Sequence, residues 1–115
     1  MKNQTLIDTI TTLQKANKAS GKAIWRALAK DLDKSKRNRA SINLSRIDRH
    51  TEEGQYVAVP GKVLAAGNLT KPVKIAAASF SEGAIKKIAA AKGEYMSLVE
   101  LVESGVEPSK IKIMK

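Results

Sequence analysis

Apolar residues recur at helical spacing along the first third of the chain. Leu6, Ile10 and Leu13 share one face of a segment over 5–17, and Thr5 with Asp8 has the spacing of a capping box with the shorter acid. Thr9, Thr11 and Thr12 are weak helix formers within it. A turn is expected around Asn17-Lys18-Ala19-Ser20-Gly21, with Ser20 as the N-cap of a second helix over 21–33. That helix turns Ile24, Trp25, Leu28 and Leu32 inward and repeats Lys22, Arg26 and Lys30 along another face. The pattern then changes to alternation at Ile42-Asn43-Leu44, which reads as a short strand. Glu52-Glu53-Gly54 reads as a turn, and Tyr56-Val57-Ala58-Val59 as a strand stopped by Pro60-Gly61. Lys62 to Gly67 has no clear period. Val73 to Ala77 alternates as a further strand. Ser79 and Glu82 have capping-box spacing, with Ser81 as a rival cap, for a helix that carries Ile85, Ile88 and Ala89 and stops at Gly93 as its C′ residue. Ser97-Leu98-Val99-Glu100 is a second capping box, opening a short helix that ends at Gly105, and Ile111-Lys112-Ile113 closes the chain as a strand. Strands alternating with helices in the second half predict an α/β layer with some parallel pairing.

A chain of 115 residues suits a single domain, 1–115. Its parts are a helical region over 1–33, a basic segment over 34–50 and an α/β core over 51–115. Charge separates these parts. Net charge is +10, and residues 1–50 hold 12 Lys/Arg against 4 Asp/Glu, while residues 51–115 hold 9 against 7. The first half is expected to face a polyanion and the second half to act as scaffold. The absence of cysteine excludes disulfides, thiolate-bound zinc, Fe–S clusters and thiol catalysis, and fits a cytoplasmic protein. Met1-Lys2-Asn3-Gln4-Thr5 leads into no apolar signal segment, and no apolar run approaches membrane-spanning length. The basic segment also lacks the Trp/Phe/Leu face of an interfacial helix, so no membrane partner is expected.

The richest chemistry lies between Lys34 and His50. Lys34, Lys36, Arg37, Arg39, Arg46 and Arg49 meet a single acid, Asp48, with Ser35, Asn38, Ser41, Asn43 and Ser45 between them. Guanidinium forks grip phosphate oxygens, while Ser and Asn add neutral hydrogen bonds. Ile42, Leu44 and Ile47 tie the end of the segment to a core. Together with the Lys22, Arg26 and Lys30 stripe, this points to nucleic acid. Trp25, Tyr56, Phe80 and Tyr95 are too few for a stacking platform, and Trp25 and Phe80 are better used in the core. The strongest charge follows the second helix rather than opening it, which argues against a helix-turn-helix reader. Phosphate and shape recognition of folded RNA is the expected mode. The loop is expected to be disordered without RNA and ordered with it.

His50 is the only histidine. Pairing with Asp48 as a base is weighed and set aside, because no nucleophile elbow accompanies it. His50 fits an RNA contact beside Arg46 and Arg49. Pro60-Gly61-Lys62 and Gly67 match neither phosphate-loop spacing nor a dinucleotide fingerprint, although Lys62 and Lys71 remain candidate RNA contacts. No cofactor, metal or small-molecule substrate is expected.

The run Lys30-x-Leu32-x-x-Ser35-Lys36-x-x-Arg39-Ala40-x-Ile42-Asn43-Leu44-x-Arg46-Ile47 resembles the signature of ribosomal protein family L eighteen-e. This is the archaeal and eukaryotic relative of bacterial large-subunit protein fifteen. Val59-Pro60-Gly61-Lys62-Val63-Leu64 followed by Gly67-Asn68-Leu69 resembles a second landmark, as does Val73 to Ala77 leading to Phe80-Ser81. One departure is Ala65-Ala66, where the family pattern has a Gly after the Val-Leu pair. The resemblance implies an α/β fold of irregular strand–strand–helix turns and a non-enzymatic role in the large subunit, bound to its ribosomal RNA. It assigns RNA contact to Lys36, Arg37, Arg39, Ser41, Asn43 and Arg46, with neighbouring large-subunit proteins as further partners. The short chain looks archaeal. A free RNA- or DNA-binding module with a regulatory or chromatin role is the rival expectation, and an enzyme has almost no residue support.

Overall fold

One long strand organises the sheet. β2 (Tyr56–Leu64) is central, and every strand paired with it runs parallel to it. β3 (Lys74–Phe80) follows one side, with β4 (Glu94–Ser97) beyond it. Two short strands share the other side end to end. β5 (Ile111–Ile113) pairs with Tyr56 to Ala58, and β1 (Ala40–Asn43) pairs with Gly61 to Leu64. The helices are α1 (Gln4–Ser20), α2 (Ala23–Leu32), α3 (Leu44–His50), α4 (Glu82–Ala90) and α5 (Leu98–Glu103). This computed structural model describes residues 4–20, 23–32, 40–104 and 110–114. The α/β class expected from the sequence is the one found.

Parallel sheets need cover on both faces, and the strand residues divide accordingly. Val57, Val59, Val63, Ile75 and Ala77 join Leu44 and Ile47 of α3 and Ala84 and Ile88 of α4 in one core. Ala58 and Ala76 point to the other face, where Leu13, Trp25, Leu28, Leu32, Leu98 and Leu101 come from α1, α2 and α5. Small strand residues on that face leave room for three helices. Leu13, Leu28 and Leu32 are fully buried, each worth about 1.5–3 kcal/mol of transfer free energy. Trp25 is core, as its spacing predicts, and Phe80 is half-buried at the margin of the first core.

Several elements differ from the sequence reading. α1 continues through Asn17 to Ser20, across the turn expected there, and the start of the next helix at 21–22 lies outside the described residues. Strand β2 does not stop at Pro60-Gly61. It passes through both buried residues, and the register with β3 shifts between Val59 and Lys62. Proline lacks an N–H for the ladder, and the irregularity absorbs it within the strand. Leu44 opens α3 instead of extending the strand before it. β4 was not foreseen, because Glu94-Tyr95-Met96-Ser97 has no apolar alternation. Ser81, rather than Ser79, caps α4 by accepting from the Ala84 N–H at 3.2 Å, while Ser79 lies in β3. At the other end of α4, the left-handed residue is Lys92 (φ 63°), with Lys92 and Gly93 N–H groups donating to Ala89 and Ile88 carbonyls. Gly93 serves a different need, since a Cβ there would stand 2.6 Å from the Val73 carbonyl oxygen. The Ser97–Glu100 capping box forms as expected, and so does β5.

Candidate nucleic-acid interface

α3 is a short amphipathic helix whose apolar side, Leu44 and Ile47, is fully buried. Arg46, Arg49 and His50 follow at helical i, i+3, i+4 spacing and are exposed. Seven residues would not hold a helix in water alone, so tertiary contacts must fix it. They do so at three points. At the start, the Ser45 N–H donates to the Ala66 carbonyl at 3.2 Å. From α4, the Lys87 ammonium donates to the carbonyls of Ala65 (2.8 Å) and Gly67 (2.7 Å), holding that loop against Ser45. The Ala65 methyl fits there because Gly83 has no Cβ; one would lie 2.9 Å from it.

In the middle, Asp48 accepts from the Thr70 N–H at 3.0 Å and from the Thr70 hydroxyl at 2.8 Å. At the end, Lys112 donates to the His50 carbonyl (2.6 Å) and Lys71 to the Thr51 carbonyl (2.6 Å). Both cations stand at the negative end of the helix dipole. The Thr51 hydroxyl adds a bond to the Ile47 carbonyl at 2.6 Å. The Lys71 ammonium thus has an intramolecular partner, whereas Lys62 is exposed.

Asp48 accepts from Thr70, and positions two apart on a helix do not face each other, so the structure lends no support to the Asp48–His50 acid–base pairing. The Thr70 backbone N–H, opposed by partial desolvation and aided by the Thr70 hydroxyl and the Lys71 charge, holds the Asp48 carboxyl below its ordinary value of 3.8. A depressed carboxylate stabilises the fold above its unfolded pKa, and that contribution fades as pH falls through the folded value. Asp48→Asn is therefore expected to lower stability near neutrality. The gap to the parent chain should close as pH drops below about 4, read from urea midpoints across a pH series.

A second exposed row crosses the sheet around Lys62. Ser41, Lys62 and Ser79 are register partners across β1, β2 and β3, and all three are exposed. Adjacent strands lie about 4.8 Å apart, so the row spans roughly 10 Å. Asn43, two residues from Ser41 and partly exposed, extends the row; its side chain makes no capping bond to α3. Ser79 is an addition to the expected set. It has no distinguishing signal in sequence, because its alignment with Lys62 depends on the shifted register. Arg26 and Lys30 lie exposed four residues apart on α2, opposite buried Trp25, Leu28 and Leu32. Lys22, Lys34, Lys36, Arg37, Asn38 and Arg39 lie outside the described residues. Among the described residues, no three His, Cys, Asp or Glu side chains gather as a metal site, and no helix is long and apolar enough to cross a membrane.

Exposed cations on a braced helix and along a row across the sheet define a small basic α/β protein. Residues 26–96 match the family model described as ribosomal proteins 50S-L15, 50S-L18e and 60S-L27a, a stretch that includes every candidate contact except Lys22. The chain belongs to this ribosomal protein family. It is 43% identical over 113 residues to the large ribosomal subunit protein eL18 of Methanothermobacter thermautotrophicus, covering 98% of this chain and 93% of that one. The eL18 of Archaeoglobus fulgidus is 41% identical over 110 residues (96% and 92% covered), and that of Methanosphaerula palustris 40% over 113 (98% and 93%). All three archaeal relatives are proteins of the large ribosomal subunit.

Proposed function

We propose that this chain is a structural constituent of the large ribosomal subunit that binds and stabilises folded large-subunit rRNA. Its partners are that RNA and neighbouring large-subunit proteins, and it performs no chemistry. The observation that supports this reading most is the bracing of α3. Asp48 of this seven-residue helix is bonded to Thr70, Lys112 and Lys71 donate to the His50 and Thr51 carbonyls at its end, and Lys87 holds the loop against its start, so that Arg46, Arg49 and His50 stand exposed at helical spacing. Such a surface offers cations to phosphates with little ordering cost on the protein side. Arg26 and Lys30, the Ser41–Lys62–Ser79 row and the Lys34–Arg39 segment supply contacts to separate RNA strands. The protein offsets phosphate repulsion between those strands and fixes their packing. Titration of the purified chain with large-subunit rRNA over a salt series tests this. About six neutralised phosphates give a slope of log affinity against log salt near −5, whereas a slope near −1 contradicts the reading.

A further inference from the structure

One side of the sheet carries a surface unlike the rest of this cationic chain. β4 lies beyond β3, and among the described residues no strand pairs with its outer side. Beside it opens a cleft of about 470 Å³ with apolar lining from Ala89, Tyr95 and Met96 and carboxylates from Glu94 and Glu100. Tyr95 is 50% exposed, yet its ring is held by an edge contact to Phe80, with centroids 5.6 Å apart at 66°. An aromatic ring that is both fixed and open loses little freedom when covered.

The electrostatics of this face are local and negative. Glu94 and Glu100 line the cleft, and Glu103, exposed three residues beyond Glu100 on α5, adds a carboxylate one helical turn away. Lys74 is the register partner of Glu94, but its ammonium is turned to Tyr56, 4.8 Å from the ring centroid and 3.4 Å from the hydroxyl. Lys86 pairs with Glu82 at 3.9 Å, and Lys92 is the exposed cation nearest the cleft along the chain. The two lining carboxylates, with Glu103 nearby, disfavour a phosphate backbone here. Strand addition is also limited, because the Ser97 N–H already donates to the Glu100 carboxylate at 3.1 Å. Recognition at this face must run through side chains.

We propose that the β4–α5 cleft docks a basic segment of another protein chain. That segment sets Arg or Lys side chains against Glu94, Glu100 and Glu103 and an aliphatic side chain beside Tyr95 and Met96. Charge complementarity selects the occupant. The net charge of +10 repels a cationic partner at long range, but at physiological salt that field is screened beyond about 8 Å, and the carboxylates dominate at contact. The inference stands apart from the rRNA reading, since it concerns the β4 edge of the sheet and a partner of opposite charge.

The test is a chemical-shift titration of the full isotope-labelled chain at physiological salt. Its probes are a decapeptide of alternating arginine and leucine, the same peptide with glutamate for arginine, and a ten-nucleotide oligouridine. The basic peptide is expected to move the amides of residues 89, 93–96 and 100–104 and to bind at least tenfold tighter than the acidic one. The double substitution Glu94→Lys with Glu103→Lys should weaken it at least tenfold with amide dispersion retained, and Tyr95→Ser should weaken it through the apolar contact alone. Shifts confined to other faces, no shifts, equal binding by the charge variant, or a Tyr95 response to the RNA rather than the peptide each overturn the proposal.

Discussion

Gly67→Ala is expected to destabilise the chain by about 2–5 kcal/mol, a large share of the total stability of a domain this size. Two costs combine. Gly67 adopts φ +83°, a left-handed backbone that costs an L-residue about 1–2 kcal/mol. A methyl there would also collide with the Ser45 side chain, with Oγ at 2.9 Å and Cα at 3.1 Å, and overpacking of this kind costs about 1–3 kcal/mol. The neighbour cannot yield easily, because Ser45 belongs to the first turn of α3 and its N–H is bonded to Ala66. Gly54→Ala separates the two terms. Gly54 has φ +79° but nothing within 4 Å of the added carbon, so only the backbone cost of about 1–2 kcal/mol applies. Urea unfolding of both variants reads the difference, and equal losses would remove the packing argument. Because the same loop braces α3, Gly67→Ala should also weaken RNA binding more than its distance from the cationic face suggests.

The combined substitution Arg46→Ala, Arg49→Ala and Lys62→Ala carries the largest expected effect on binding. All three side chains are exposed, so the circular-dichroism spectrum and unfolding midpoint should change little. Each lost phosphate contact removes roughly 0.9 from the salt slope, taking it from near −5 to near −2. A fourfold rise in salt would then cost about twentyfold in affinity, where the parent chain loses about a thousandfold. An unchanged slope would mean that these cations face solvent, not RNA. The pair Arg37→Ala with Arg39→Ala applies the same measurement to the segment before β1, where a shift of about two units is expected.

The class of fold, the inward face of α2 and the burial of Ile42, Leu44 and Ile47 were legible in the chain because each rests on local periodicity. What escaped rests on partners distant in sequence. Two apolar residues three apart do not distinguish a strand from one helical turn, and α3 exists because Lys71, Lys87 and Lys112 reach it and its neighbouring loop. Lys112 and His50 are 62 positions apart, beyond any window of periodicity. Pro60-Gly61 carries a true turn signal, but β5 pairs before it and β1 from Gly61 onward, which keeps β2 continuous. β4 owes its form to pairing with β3 rather than to its own pattern. The candidate site divides in the same way. Its cations were visible as composition and spacing, whereas Ser79 entered only through register. Nothing in sequence distinguishes Lys71 from an exposed cation, because its Thr51 carbonyl partner lies 20 positions away.

The most direct measurement is sedimentation of a native cell lysate on a density gradient, followed by a high-salt wash of the pooled large subunits and quantification of this chain in each fraction. A structural constituent remains near one copy per large subunit after washing. A chain found mainly free, or on other nucleic acid, contradicts the account and favours an independent binding module.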